Sequence, residues 1–216
     1  MATDPEMAAV KALSVKCENP CVVELGARMG EDEPWIRSCF GQVVHYVMIE
    51  PEIRNCQVIL DKGLNANRRL IVGAVAEKNG TTEFFGSIEG YNTCGSGSIR
   101  RPTAHKDIFP SVEFPEYLHT KVPCYSLDFI FDREWLSKID LLWVDIQGAE
   151  KDMILGGTKA LSHTRYLFME TEDRELYEGM ATKPDLLKML AGWELVEDFG
   201  YNCLLKNPNF TMQGAR

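Results

Sequence analysis

Short β-branched apolar runs alternate along this chain with stretches whose apolar residues recur at helical spacing, and that alternation predicts an α/β fold. Pro5 to Val15 has the helical rhythm and predicts a helix that covers one sheet face. Cys21-Val22-Val23-Glu24-Leu25 reads as the first strand, followed by a turn containing Gly26 and Gly30. Glu31-Asp32-Glu33-Pro34 then opens a helix: the acids suit the positive end of its dipole, and proline loses nothing in the first turn. Val43 to Ile49 is a second apolar strand closing on Glu50-Pro51, and residues 51 to 64 form a helix ending near Gly63. Arg69 to Val75 reads as a third strand. The Glu77-Lys78-Asn79-Gly80 turn leading into Thr81 to Phe85 predicts a hairpin.

From Gly86 to Tyr117 the periodicity fades, and glycine, serine and proline are dense, Tyr91 and Cys94 among them. A loop of that length is either a substrate-side loop or lid, or disordered. His105 and His119 lie in or beside it with Asp107 and Glu116; nothing places these four on one regular element, so they read as surface groups rather than metal ligands. Ile139 to Val144 has the continuous apolarity of a central parallel strand and ends in Asp145 before Gly148. A helix through Met153, Ile154 and Leu155 to Leu161 follows, and then another strand, Arg165 to Met169, closing on Glu170. Thr182 to Leu190 is an amphipathic helix with Pro184 in its first turn; Trp193 to Asp198 and Asn202 to Lys206 form an antiparallel pair about Gly200. The predicted architecture is a Rossmann-like, seven-stranded, mostly parallel sheet with helices on both faces and a C-terminal antiparallel strand pair. With no repeat and no linker, residues 1–216 read as a single domain, with an N-terminal helix within 1–20 and the loop at 86–117.

At 216 residues and 45% hydrophobic content the chain can bury one good core. No run reaches the length of a membrane span and the amino terminus lacks a signal-peptide pattern, so a cytoplasmic protein is expected. Seven scattered cysteines with no CxxC pair read as reduced core thiols. A net charge of −9 opposes nucleic-acid binding, and the clearest basic patch, Arg100-Arg101 with Lys106, is thin.

The candidate chemistry lies where strands end. Glu24-x-Gly26-x-x-x-Gly30 is a strand–glycine turn–helix that lets backbone approach a ligand, and Glu50 stands where the second strand of a nucleotide-binding unit takes ribose hydroxyls. A dinucleotide fingerprint would need a further glycine at its own spacing, so the turn fits S-adenosylmethionine better; an ordinary tight βα turn with a surface Glu is the plain alternative. Ligands in open α/β sheets collect at the carboxyl ends of strands, so Asp145 is expected in the same crevice, or capping the helix that follows, or both.

Val23-Glu24-Leu25-Gly26-Ala27-Arg28-Met29-Gly30, Ile49-Glu50-Pro51, Ala74-Val75 before Asn79-Gly80, Ser126-Leu127-Asp128, Leu155-Gly156-Gly157 and Glu170 occur in the order of one known family. The most specific segment is Ile139-Asp140-Leu141-Leu142-Trp143-Val144-Asp145-Ile146-Gln147-Gly148-Ala149-Glu150. On these motifs the chain resembles the FkbM-like methyltransferases, from about Cys21 to Lys206. The resemblance implies that Glu24, Gly26, Ala27 and Gly30 line the methionine end of bound S-adenosylmethionine. It further implies that Glu50, beside Pro51, holds the ribose, that Ala74 and Val75 sit near the adenine, and that Asp145 and Gln147 lie between the sulfonium and the acceptor. Arg28 replaces the family's common Asn and is expected to turn outward or meet the cofactor carboxylate. Trp143 stands where the family commonly has Lys. Methyl transfer to a hydroxyl needs a base, for which Asp145 or Glu170 is the candidate, since no histidine sits at a strand end. A metal held by Asp145, Glu150 and Glu170 stays open. The expected acceptor is a small molecule, a sugar or a polyketide-like secondary metabolite. A nucleoside-binding module without catalysis and a nicotinamide-dependent oxidoreductase are the competing readings.

Overall fold

The computed structural model describes residues 4–14, 17–40, 45–90, 92–93 and 95–211. Val15, Val43, Val44, Tyr91 and Cys94, which enter the predicted first helix, second strand and glycine-rich loop, lie outside the described residues. The first half of the chain runs α1 (Asp4–Ser14), β1 (Cys21–Leu25), α2 (Glu33–Phe40), β2 (His45–Glu50), α3 (Ile53–Asp61), β3 (Arg68–Val72), β4 (Ala74–Val75), β5 (Gly80–Phe85), β6 (Ile88–Glu89), β7 (Asn92–Thr93) and α4 (His105–Ile108). The second half runs β8 (Val112–Glu113), β9 (His119–Tyr125), α5 (Leu127–Arg133), β10 (Ile139–Val144), α6 (Glu150–Leu155), α7 (Thr158–Ser162), β11 (Thr164–Glu170), α8 (Lys183–Met189), β12 (Glu194–Asp198) and β13 (Asn202–Lys206).

Seven strands pair in the order β12-β13-β11-β10-β1-β2-β3, parallel except for β13, which runs antiparallel to both β11 and β12. Because side chains alternate across a strand, each apolar run feeds two cores. Val23, Leu25, Val47, Ile49, Leu142 and Val144 pack on one face with α5, α6 and α8 residues such as Ile130, Met153 and Leu186. Val22, Tyr46, Met48, Leu141 and Trp143 pack on the other with Val10 of α1, Ile36 of α2 and Ile59 of α3. The amino-terminal helix therefore covers a sheet face, as its periodicity predicts. Trp143 is buried there, stacked on Phe168 at 3.9 Å between ring centres and meeting Trp35 edge-on at 5.2 Å. No polar role survives at that position.

Four local expectations need correction. The predicted third strand divides at Gly73, where a Cβ would lie 2.7 Å from the Tyr125 ring and 2.9 Å from the Pro123 carbonyl. Only β3 stays in the main sheet; β4 leaves it to pair with β9. The predicted hairpin does not close, because β9 lies between β4 and β5 and supplies a longer antiparallel partner, Gly80↔Cys124 to Phe85↔His119. Asn79 staples that turn to the end of β9 by accepting the Ser126 N–H at 2.8 Å. The predicted helix to Leu161 is two helices broken at Gly156-Gly157; Asp128 caps the second by accepting the N–H groups of Lys159 and Ala160 at 3.2 and 2.8 Å. The region 86–117 contains β6, β7, β8 and α4, with β6 pairing both β7 and β8.

Two members of the basic patch meet acidic side chains, Arg100 with Asp152 at 2.7 Å and Arg101 with Glu178 at 3.9 Å, and Lys106 is exposed. The six described cysteines are free thiols, and burial pushes those of Cys21 and Cys56 up to about 12. No helix among the described residues is long and apolar enough to cross a membrane.

Candidate active site

Strand register decides which acids reach the carboxyl edge. Leu25 pairs with Ile49 and with Val144, and Val144 pairs with Met169. The next level up therefore holds Glu50, Gly26, Asp145 and Glu170, side by side across β2, β1, β10 and β11. Glu24 pairs with Met48 and Trp143, two residues lower, roughly 6–7 Å deeper in the sheet. There it is buried, accepts the Tyr46 hydroxyl at 2.9 Å, and burial raises its carboxyl well above the usual range. Gly26 is the gap in the row. It has φ +82°, and a Cβ would sit 1.7 Å from the Asp145 carbonyl oxygen. Any side chain there would displace the end of β10.

Two clefts open on this row. The first, of about 560 Å³, is lined by Gly26, Arg28, Glu50, Pro51, Asn55, Ala74, Val75 and Asp145, with Phe84, Ser87, Gly95, Gly97 and Ser98 closing it from above. Of the residues expected around a cofactor, Gly26, Arg28, Glu50, Pro51, Ala74, Val75 and Asp145 meet in this one cleft. Glu24, Ala27 and Gly30 are not among its lining residues: Glu24 for the register reason above, Ala27 because it packs into the core beneath α2, and Gly30 because it faces Ile59, Met48 and Arg68. Arg28 turns its guanidinium outward to Glu31 at 3.1 Å, as expected, while its backbone N–H donates to Glu50 Oε2 at 2.8 Å.

Glu50 is the most constrained group of the first cleft. Besides Arg28 it accepts the Glu52 N–H at 2.9 Å and Asn55 Nδ2 at 3.2 Å on Oε1. Burial pushes its carboxyl up to about 7, with those three donors opposing the rise. Asn55 was not signalled by any motif, yet its Oδ1 is buried in this cleft with no hydrogen-bond partner. A carboxylate with a lone-pair site to spare beside an orphaned amide oxygen is an acceptor pair suited to vicinal hydroxyls. The residues present thus fit the ribose of a nucleoside cofactor.

The second cleft, of about 580 Å³, is lined by Gln147, Gly148, Glu150, Glu170, Glu172, Tyr177, His105 and Phe109 among others. Gln147 forms the wall between the two. Its Nε2 donates to Asp145 Oδ1 at 2.7 Å and to Glu170 Oε2 at 2.6 Å, and its Oε1 accepts the Tyr177 hydroxyl at 2.7 Å. Tyr177 also reaches the Ser96 carbonyl at 2.9 Å, and the Ser98 hydroxyl donates to the Gln147 carbonyl at 2.6 Å, so the glycine-rich segment is pinned to this wall. Asp145 and Glu170 are hydrogen-bonded to each other. Burial raises both carboxyls and the Asp145 charge raises Glu170 further, so the proton between them sits on Glu170. Asp145 does not cap the following helix; Ala149 occupies that position without a side-chain bond. Glu150 accepts the Gly148 N–H at 3.2 Å, and burial pushes it up to about 7. No group of three His, Cys, Asp or Glu side chains among the described residues is placed to hold a metal ion. His105, expected at the surface, is buried against Tyr177, Phe109 and Phe114.

Residues 24–203 match the model of the methyltransferase FkbM domain. The chain belongs to this family. Among curated proteins, the 2-O-methyltransferase NoeI of Sinorhizobium fredii is 37% identical over 134 residues, a match covering 61% of this chain and 54% of that protein. The chain thus spans about half the length of this curated relative. Among solved structures, the methyltransferase FkbM from Methylobacillus flagellatus KT matches with a TM-score of 0.53 and 15% identity, covering 87% of this chain and 43% of that one, a likeness of fold. The FkbM assignment reached from the Asp-x-Gln-Gly-Ala-Glu segment is borne out, and so is the seven-stranded methyltransferase-type sheet.

Proposed function

We propose that this chain is a single-domain O-methyltransferase that uses S-adenosylmethionine to methylate a hydroxyl of a small molecule, a sugar or a polyketide-like compound. The observation that carries the reading is the pair of clefts meeting at one hydrogen-bonded wall, Asp145–Gln147–Glu170, at the carboxyl edge of a sheet of this family. Glu50 and the Asn55 amide oxygen hold the ribose hydroxyls, Ala74 and Val75 flank the base, and Gly26 leaves room beside Asp145. S-adenosylmethionine supplies, when bound, a methyl group on a positively charged sulfur. Asp145, fixed by two donors and lining the first cleft, would present negative charge to that sulfur. Gln147 and the protonated Glu170 would keep it so, and the second cleft, on the other side of these residues, would hold the acceptor. Oxygen as the accepting atom is supported by the curated relative, which is named a 2-O-methyltransferase. Acidic lining in the second cleft, Glu150 and Glu172, favours a neutral polyhydroxylated acceptor over an anionic one.

Calorimetric titration with S-adenosylmethionine and S-adenosylhomocysteine, alongside Glu50→Ala, tests the cofactor. Binding of both, lost in the variant, is expected. Binding of NAD(H) in their place would overturn the proposal, and S-adenosylmethionine binding without methylation of any hydroxyl in an acceptor screen would leave a nucleoside-binding module instead.

A further inference from the structure

Among the described residues His105 is the one histidine lining the second cleft, and none of them hydrogen-bonds its Nδ1. It is 2% exposed, its Nδ1 is buried without a hydrogen-bond partner, and it lines the same cleft as Gln147, Glu170 and Tyr177. Aromatic rings fix its plane: Phe109 at 4.9 Å, Phe114 at 5.1 Å and Tyr177 at 5.4 Å between ring centres. Tyr177 in turn is bonded to Gln147, so one ring separates the imidazole from the wall between the clefts. A buried imidazole packed by three aromatic rings but with no hydrogen bond to its Nδ1 has a lone pair left for a ligand.

Three of the nearby carboxyls are already engaged. Glu170 already holds one, and Asp145 accepts from both Gln147 and Glu170 while lining the other cleft. Glu150 is tied beneath the Gly148 N–H.

We propose that His105 is the base that accepts the proton of the acceptor hydroxyl as that oxygen takes the methyl group, an inference that rests on the function proposed above. The O–CH₃ bond forms as the S–CH₃ bond breaks, the sulfonium leaves as a neutral thioether, and the hydroxyl proton passes to the imidazole and then to solvent. Desolvation lowers the imidazole below its ordinary value, which keeps it unprotonated and receptive at neutral pH. The titratable groups around it are Tyr177, the cleft carboxyls Glu150, Glu170 and Glu172, and Lys106 and Asp107 exposed on its own helix.

The test is His105→Phe, which keeps the aromatic packing and removes the nitrogens. Three quantities are read in wild type and variant: affinity for S-adenosylhomocysteine, turnover of a panel of methyl pyranosides across pH 5 to 9, and the imidazole Cε1–H resonances by NMR. Expected are unchanged S-adenosylhomocysteine affinity, a fall in kcat of roughly a hundredfold or more, and loss of the acid limb of the rate profile. The resonance that disappears in the variant should, in wild type, titrate below pH 6.5 and shift when a methyl pyranoside is added. A variant with wild-type kcat, or one that keeps the acid limb and so assigns the base to Glu150 or Glu172, overturns the proposal. A His105 resonance unmoved by methyl pyranosides overturns it too, without recourse to turnover. Absence of S-adenosylhomocysteine binding in wild type would instead count against the proposed function, and the NMR arm keeps the two failures apart.

Discussion

Cofactor binding should expel a proton from Glu50, and the size of the effect follows from the site. The Glu50 carboxyl stands at about 7 instead of its ordinary 4.5, because burial outweighs the three N–H donors that hold it. That displacement corresponds to about 3 kcal/mol of disfavour for the ionised form in the empty cleft. One ribose hydroxyl donating to the carboxylate, with its neighbour on the Asn55 amide oxygen, would contribute about 1.5–3 kcal/mol, enough to bring the carboxyl back towards its ordinary range. At pH 7 the empty site is half protonated, so about half a proton should leave for each nucleoside bound, falling towards none above pH 8.5. The sign is fixed: the ligand favours the ionised form, so affinity rises with pH up to about 7 and levels off above it. Calorimetry of S-adenosylhomocysteine binding at pH 7, in buffers that differ in ionisation enthalpy, reads the proton count directly. Glu50→Gln should abolish the buffer dependence and weaken binding by about tenfold to a hundredfold, since one charge-assisted pair is replaced by neutral bonds. Glu150 also stands at about 7 but lines the second cleft, so any protons it exchanges survive in the variant and are subtracted. Wild-type binding with no buffer dependence, or with proton uptake, would refute the assignment of Glu50 to the ribose.

Three further outcomes are expected. Gly26→Ala should destabilise the fold by about 3 kcal/mol or more in urea unfolding and weaken S-adenosylhomocysteine binding. The new methyl would collide with the Asp145 carbonyl at a backbone angle that disfavours any side chain, and unchanged stability would show that the row is looser than described. Trp143→Ala should cost about 3–5 kcal/mol by emptying the stack on Phe168. Because that ring lies in the core away from both clefts, the folded fraction should keep its cofactor affinity; a large change in Kd would contradict the placement. Finally, Glu24, Glu50, Glu150 and Glu170 all have raised carboxyl values, so above pH 4.5 the folded state binds more protons than the unfolded one and stability falls as pH rises through about 7. Unfolding free energy should be lower at pH 8.5 than at 6.5 by at least about 2 kcal/mol, and a flat or rising profile would argue against the burial of these groups.

The centre of the main sheet was legible because β1, β2 and β10 are buried on both faces and each leads into a helix; the elements that failed were those whose partners are distant in sequence. Arg69 to Val75 looks continuous, and nothing local says that Gly73 must pass beneath Tyr125. Asn79-Gly80 is a sound turn signal, but β9, forty residues on, wins the pairing. The site shows the same division. Glu50, Asp145 and Glu170 were readable because ligand groups gather at strand ends, and Gln147 through the family resemblance alone. Glu24 was misplaced within the row because reading strand ends requires register, and register is set by cross-strand pairs. Asn55 could have been found, standing in the first turn of the helix that follows Glu50. His105 could not: its burial depends on Tyr177, which reaches it from beyond β11.

The wall between the clefts is the point where local preference gives way to the fold. Gln147 has φ +52°, a conformation that a side chain of its size adopts at a cost of order 1–3 kcal/mol, and a glycine follows it directly. Four partners hold it there: Asp145, Glu170 and Tyr177 through the side chain, Ser98 through the backbone. Each comes from a different segment of the chain, so the strained residue is where β10, β11, the glycine-rich segment and the Tyr177 turn are tied together. Both donor hydrogens of the side chain are engaged by carboxyls and its amide oxygen by Tyr177, so it has no hydrogen left to donate to a ligand without losing a bond. Gln147 is therefore suited to fixing the carboxyl pair, and the function and base proposed above leave the substrate proton to a group of the second cleft whose lone pair is free.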